Sequence, residues 1–342
     1  MKLGIDKYNA ECRAIVMRYA SQWRLTVERI GRWIDFDNDY KTLNTSFMES
    51  VWWVFGELFK KDLVYQGVRV MPYTTGLTTP LSNFEAGLDY RDINDPAGQY
   101  PSLSRFLCID CASVTVAFQL VDDPTTSLLA WTTTPWTLPS NLGLCVHPDF
   151  EYVKIHDQTR DVNFILHKDL LTTVYKDPKK APIKILDTFK GNYLKGWRYV
   201  PLFDYFTKQF GDRAFCVVTD KYVTSDSGTG IVHQAPAFGE DDHRIALAHN
   251  IIRLDEMPPC PIDDTGCFTD EVPDFKGLHV KVIFSLILAA TTYLCLEAAD
   301  KEICHKLKAN GKLIVHSNFM HSYPFCWRFV ALQEPVFETH SS

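Results

Sequence analysis

The sequence predicts an α/β chain: a helical N-terminal segment followed by a larger β-rich domain of barrel character. Three observations carry that prediction. Apolar residues recur at three- and four-residue steps as far as Lys61. From about residue 113 onward, short β-rich runs alternate with turn residues. The 342 residues are 46% apolar, with 22 Phe, 15 Tyr and 8 Trp. That is enough to build a sizeable core, it excludes a disordered chain, and the length suits roughly two domains. The formal charge is 35 − 42 = −7, so any RNA contact needs a local basic patch.

Taken in order, Cys12, Ile15, Val16, Tyr19, Trp23, Val27 and Ile30 form one helix face, which Gly31 is placed to end. A second helix is expected near Phe47 to Lys61, with Phe47, Val51, Val54, Phe55 and Leu58 on one face. Lys60 and Lys61 suit the dipole of its last turn. The Trp52-Trp53 pair reads as core packing. Val68 and Val70 then mark a short strand expected to stop at Pro72. The β-rich runs are Val114–Leu120, Ser127–Thr133, Gly143–His147, Glu151–Ile155, Val162–Leu166, Ile183–Leu186, Ala214–Val218 and Ile231–Gln234. Their spacing points to a β-barrel or a mixed β-rich domain. Helical pattern returns at Asp242–Asn250 and Ala298–Asn310.

The ten cysteines are irregularly placed, and Met1 to Gly4 show no signal-peptide pattern. Reduced thiols in a cytoplasmic compartment are therefore expected. Cys108 and Cys111 have metal-type spacing, but no second CxxC accompanies them, so they read as unligated. The most apolar run, Val282 to Leu296, has 15 residues without a charge, short of the roughly 20 that span a bilayer.

Two segments could carry chemistry. Thr132, Thr133 and Thr134 put a row of hydroxyls at a strand end, and Pro135 and Pro139 fix the loop behind them. Such hydroxyls can bond a ribose or ester and position water. Equally, threonine is common in strands for packing reasons alone. The second segment runs from Gly228-Thr229-Gly230 through His233 to Asp241-Asp242-His243. Its glycines permit close backbone approach, and a carboxylate can clamp an ammonium group. A lone His in a strand is more often structural, and an Asp-Asp pair before a helix is more often a cap.

Together the two segments resemble the editing domain of the isoleucyl-tRNA synthetase family. Thr-Thr-Thr-Pro-Trp-Thr at 132–137 is the isoleucyl form; the valyl and leucyl families carry arginine where Thr134 stands. Further stretches agree: Gly31–Phe36, Met48–Trp53, Pro80–Glu85 and His321–Arg328. They look most like the eukaryotic cytoplasmic enzymes.

The resemblance implies a β-barrel-rich editing domain inserted in a partial Rossmann-type class I catalytic domain. It divides the chain into 1–80 (catalytic segment), 81–315 (editing domain) and 316–342 (truncated return). It implies hydrolysis of the ester in valyl-tRNA(Ile). One methylene is worth too little to reject valine at a first site, and this amino-acid pair is the standard illustration of that limit. Asp242 would hold the substrate's α-amino group, just before His243, where the family usually has tyrosine. Thr132, Thr133 and Thr134 would contact the terminal adenosine and position water. His233 would check the substrate side chain, with Gly230 beside it. Thr137 and Asn141 would support the pocket.

No metal or cofactor is implied for editing. The full-length family uses ATP and Mg, but no His-x-Gly-His or Lys-Met-Ser-Lys-Ser segment is present, so neither is expected to bind here. The expected partner is the acceptor end of tRNA(Ile) carrying valine, with no DNA, no membrane and no stated oligomeric state. Three patches depart from the family: Ala97–Ser113, Val282–Glu297 and the tail Phe329–Ser342. Family-like sequence resumes cleanly beside them, so translated introns or frame errors are expected, and transcript sequencing decides it. Beside the hydrolase stand two other readings: a fragment that only binds the acceptor end, and a non-functional remnant.

Overall fold

The computed structural model describes residues 4–93, 113–280, 284–285, 294–295, 299–317, 321–328 and 337–341. The chain divides into two compact units, Met1–Gln66 and Gly67–Ser342. The Cys108/Cys111 pair and most of 97–113 and 282–297 lie outside the described residues.

The first unit holds α1 (Ile5–Arg29) and α2 (Thr45–Lys60). Both occur where the apolar period places them. Gly31 ends the first helical segment with φ +76, a conformation glycine adopts without strain. The core reading of the tryptophan pair is corrected: Trp52 is 72% and Trp53 67% exposed, and neither helix buries any residue. A helical period identifies an apolar face, but nothing in the period itself supplies a surface to cover it.

The second unit opens with β1 (Arg69–Thr74), β2 (Thr79–Pro80), α3 (Asn83–Ala86) and β3 (Tyr90–Ile93). Pro72 does not end its strand. Its carbonyl accepts from Leu81 N–H, while β2 pairs only through Thr79 and Pro80.

The main sheet follows: β4 (Ser113–Gln119), β5 (Thr126–Thr132), β6 (Gly143–Val146), β7 (Glu151–Asp157), β8 (Val162–His167) and β9 (Ile183–Lys190). Next come α4 (Thr207–Phe210), β10 (Cys216–Thr219), β11 (Ile231–Gln234) and α5 (Glu240–Ala248). After two short strands, β12 (Phe284–Ser285) and β13 (Leu294–Cys295), come α6 (Ala299–Ala309), β14 (Leu313–Ser317), β15 (His321–Pro324) and β16 (Phe337–Ser341). β16, within the tail that departs from the family, pairs antiparallel with β1.

The barrel expectation holds. β5 pairs with β4 and, through Val232↔Trp131, with β11; β11 pairs with β6, and β6 with β10. Bridges Leu120↔Tyr199 and Arg198↔Cys216 join β10 back to the end of β4 and close the ring. On the edge it shares with β11, β5 also meets β8, which leads to β7 and β9. β14, which the sequence reading did not mark, flanks β4.

Alternation along β4 and β5 feeds two cores. Val114, Val116, Phe118, Leu128 and Ala130 join the larger cluster. Ala117 and Leu129 join a second one with Val153, Ile155, Phe164 and Leu166. Burial on both faces explains their nearly continuous apolar and threonine runs.

Candidate functional site

The pairing of β11 with β5 sets the site. It lays Ile231–His233 beside the segment that leaves β5 at Thr132. α5 begins soon after β11, and its first turn carries Glu240, Asp241 and Asp242. Asp242 Oδ2 accepts from Ala235 N–H at 2.9 Å, which ties this helix start to the strand end. A cavity of about 280 Å³ lies between them. Thr132, Thr133, Thr134, Gly230, His233 and Asp242 all line it.

Thr137 and Asn141 do not line the cavity; they stand behind it. After Thr134 the chain turns through a short 3-10 segment, Pro135–Ser140, with Pro135 in its first turn, where a missing N–H costs nothing. Thr137 Oγ1 donates to the Thr134 carbonyl at 2.8 Å and lies 3.0 Å from His233 Nε2. Asn141 accepts from Tyr199 O–H at 2.7 Å and donates to the Gly143 carbonyl, bracing the barrel below.

The threonine row is internally bonded. Thr132 Oγ1 accepts from Thr134 N–H at 3.1 Å and lies 3.2 Å from Thr134 Oγ1. His233 is 7% exposed, and burial pushes its pKa down to about 4, so it is neutral at neutral pH. Because the Thr137 hydroxyl proton goes to the Thr134 carbonyl, Thr137 Oγ1 is left to accept. The proton is then on His233 Nε2, and Nδ1, buried without a partner, carries the lone pair.

Gly230 is required twice over. Its φ is +71, and a Cβ there would sit 2.5 Å from His167 Cβ. Its carbonyl accepts from Tyr152 O–H at 2.7 Å, anchoring the Gly228-Thr229-Gly230 turn to the barrel. The cavity also includes Trp131, which heads the threonine segment, and three residues the sequence reading missed: Tyr222, Thr224 and Ser227. Tyr222 accepts from Gln234 Nε2 at 2.7 Å, and burial pushes its phenol pKa up. The loop before Gly228 carries no periodic signal.

The result is a small cavity with one carboxylate, a wall of hydroxyls and a neutral imidazole held by a hydroxyl behind that wall. Such a site can hold a cationic group and orient water or hydroxyls around it. Among the described residues, no three His, Cys, Asp or Glu side chains cluster closely enough to hold a metal.

Residues 1–327 match the family model of tRNA synthetases class I (I, L, M and V). The chain belongs to that family. It is 56% identical over 328 residues to the cytoplasmic isoleucine–tRNA ligase of Schizosaccharomyces pombe, covering 96% of this chain and 28% of that enzyme. The corresponding enzyme of Saccharomyces cerevisiae is 54% identical with the same coverage. That of Mus musculus is 52% identical, covering 96% of this chain and 23% of the enzyme. The chain thus spans about a quarter of the length of these relatives. Among solved structures, that of GlLeuRS-CP1 aligns with a TM-score of 0.40 and 16% identity, covering 60% of this chain and 99% of that one. No helix of the described residues is long and apolar enough to cross a membrane.

Proposed function

We propose that the cavity is an aminoacyl-ester hydrolysis site that removes valine from tRNA(Ile) in the cytoplasm, the compartment named for the relatives. The observation that carries this reading is the placement of one carboxylate, Asp242, in the same small cavity as three consecutive threonines. Membership of a tRNA synthetase family supplies the substrate class. At about 280 Å³ the cavity falls just below the usual ligand range of about 300–1,000 Å³, as suits the end of a larger substrate.

In this reading Asp242 holds the α-ammonium of the amino acid by charge-assisted hydrogen bonds. The threonine hydroxyls hold a water against the ester carbonyl. The water oxygen bonds to the carbonyl carbon, the ester C–O bond breaks, and the proton ends on the departing ribose oxygen. Valine and tRNA leave. An aminoacyl ester is already activated, so positioning and electrostatics supply most of the catalysis and a strong base is not needed. Neutral His233 adds no cation to compete with the ammonium, and its side of the cavity limits side-chain size. Ligation is named for the whole relatives, of which this chain spans about a quarter.

The test is deacylation of valyl-tRNA(Ile) by the purified chain and by its Asp242→Ala variant. Release by the parent and a loss of at least about 100-fold in the variant, the order expected for a lost charge contact in a catalytic site, is the predicted result. Binding of tRNA without release would leave a binding fragment. Equal rates for parent and variant would remove Asp242 from the mechanism.

A further inference from the structure

Thr134 occupies the N-cap position of the Pro135–Ser140 turn, yet its side chain makes no cap hydrogen bond. A threonine there ordinarily spends its hydroxyl on the backbone N–H of N2 or N3. N2 is Trp136, and its N–H donates at 2.6 Å to Asp300 Oδ1 instead. N3 is Thr137, whose N–H donates to the Thr134 carbonyl at 3.0 Å. Both donors that would claim the Thr134 hydroxyl are taken. The hydroxyl lies 3.2 Å from Thr132 Oγ1, and Thr134 lines the cavity.

Asp300 reaches this turn from far away in sequence. It lies in the first turn of α6 and is 2% exposed. Ala299, Ile303 and Leu307 of the same helix pack into the main core, so the carboxylate is held on a fixed base. Phe238, which packs against the core, meets the Trp136 ring edge-on at 4.8 Å, fixing the turn from a second direction. Burying a carboxylate is costly unless its hydrogen bonds are strong and specific. A bond from a backbone N–H to a carboxylate is among the stronger kinds.

We propose that Asp300 is a positioning residue for the threonine wall. By capping the 135–140 turn from another helix, it spares the Thr134 hydroxyl from the backbone and leaves it in the hydroxyl row, 3.2 Å from Thr132 Oγ1 and 3.4 Å from Thr137 Oγ1. The functional consequence rests on the hydrolytic reading above; the positioning itself rests on geometry alone.

The experiment compares the full chain with Asp300→Ala and Asp300→Asn. Asparagine keeps an Oδ1 acceptor in place, whereas alanine removes it. Hydrogen–deuterium exchange reads the turn, and steady-state release of valine from valyl-tRNA(Ile) reads its use. In the alanine variant, amides of 134–141 exchange about tenfold faster, the scale of one hydrogen bond to a charged group, while β4 and β5 amides keep their rates. The kcat falls about tenfold with KM within about twofold. Asparagine restores most of both. Unchanged exchange at 134–141 in the alanine variant overturns the proposal. So does an equal rise across β4 and β5, which makes Asp300 a packing residue only. A local rise at 134–141 in a chain whose parent releases no valine upholds the positioning and removes the hydrolytic reading instead.

Discussion

α1 and α2 carry Trp23, Trp52, Trp53 and Phe55 and bury none of their residues, whereas β4 and β5 bury nearly all of theirs. The two regions do not differ in how apolar they are. They differ in what faces them. β4 and β5 are bonded into a closed ring with a core on each face. Each helix of the first unit has an apolar stripe with nothing buried against it. Isolated helices are marginal in water, because most helical stability in proteins comes from tertiary packing. The difference teaches where precision comes from. The candidate site hangs from the doubly buried strands, so its hydroxyls are placed by a structure that resists movement.

The largest break between the regions is expected from a cavity in the ring. Leu128→Ala, at a fully buried β5 position, should cost about 3 kcal/mol in urea unfolding followed by far-ultraviolet dichroism. An effect below about 1 kcal/mol would mean that β5 is not a core strand.

Acid should separate the regions next. His233 has a folded-state pKa of about 4, below the ordinary 6.5, so the unfolded chain takes up the proton first. As pH falls from about 6.5 to about 4, the ring loses up to about 3 kcal/mol from this group, and above that window the loss is absent. His233→Gln should flatten the slope. No histidine lies in 1–66, so the helicity of α1 and α2 should not share it.

Gly230→Ala should cost about 2 kcal/mol or more, because it forces a side chain into positive φ against His167. It should also slow valine release. The smallest effect belongs to the first unit: Phe55→Ala, at a half-exposed position, should change stability by no more than about 0.5 kcal/mol. A cost of several kcal/mol there would erase the contrast.

The sequence exposed much of this arrangement because its signals were local. Short β-rich runs between turn residues marked each strand of the ring, and Ile231–Gln234 matches β11 end to end. Thr132–Thr134, His233 and Asp242 were visible through a family resemblance, and the structure brings them to one cavity. What escaped notice was non-local. The exposure of Trp52 and Trp53 depends on what packs against their helix, which its period does not encode. Pro72 stays in its strand opposite Glu338 of β16, with its carbonyl bonded to Leu81 N–H, partners that its local sequence does not reveal. Tyr222 and Ser227 reach the cavity from a loop without periodicity, and Asp300 reaches the 135–140 turn from another helix. No spacing rule links residue 300 to residue 136.

The measurement that tests the central claim most directly is release of amino acid from valyl-tRNA(Ile) and isoleucyl-tRNA(Ile), side by side, by the folded chain. The account predicts that valine is released and isoleucine is retained. Equal release of both, or release of neither, would contradict it.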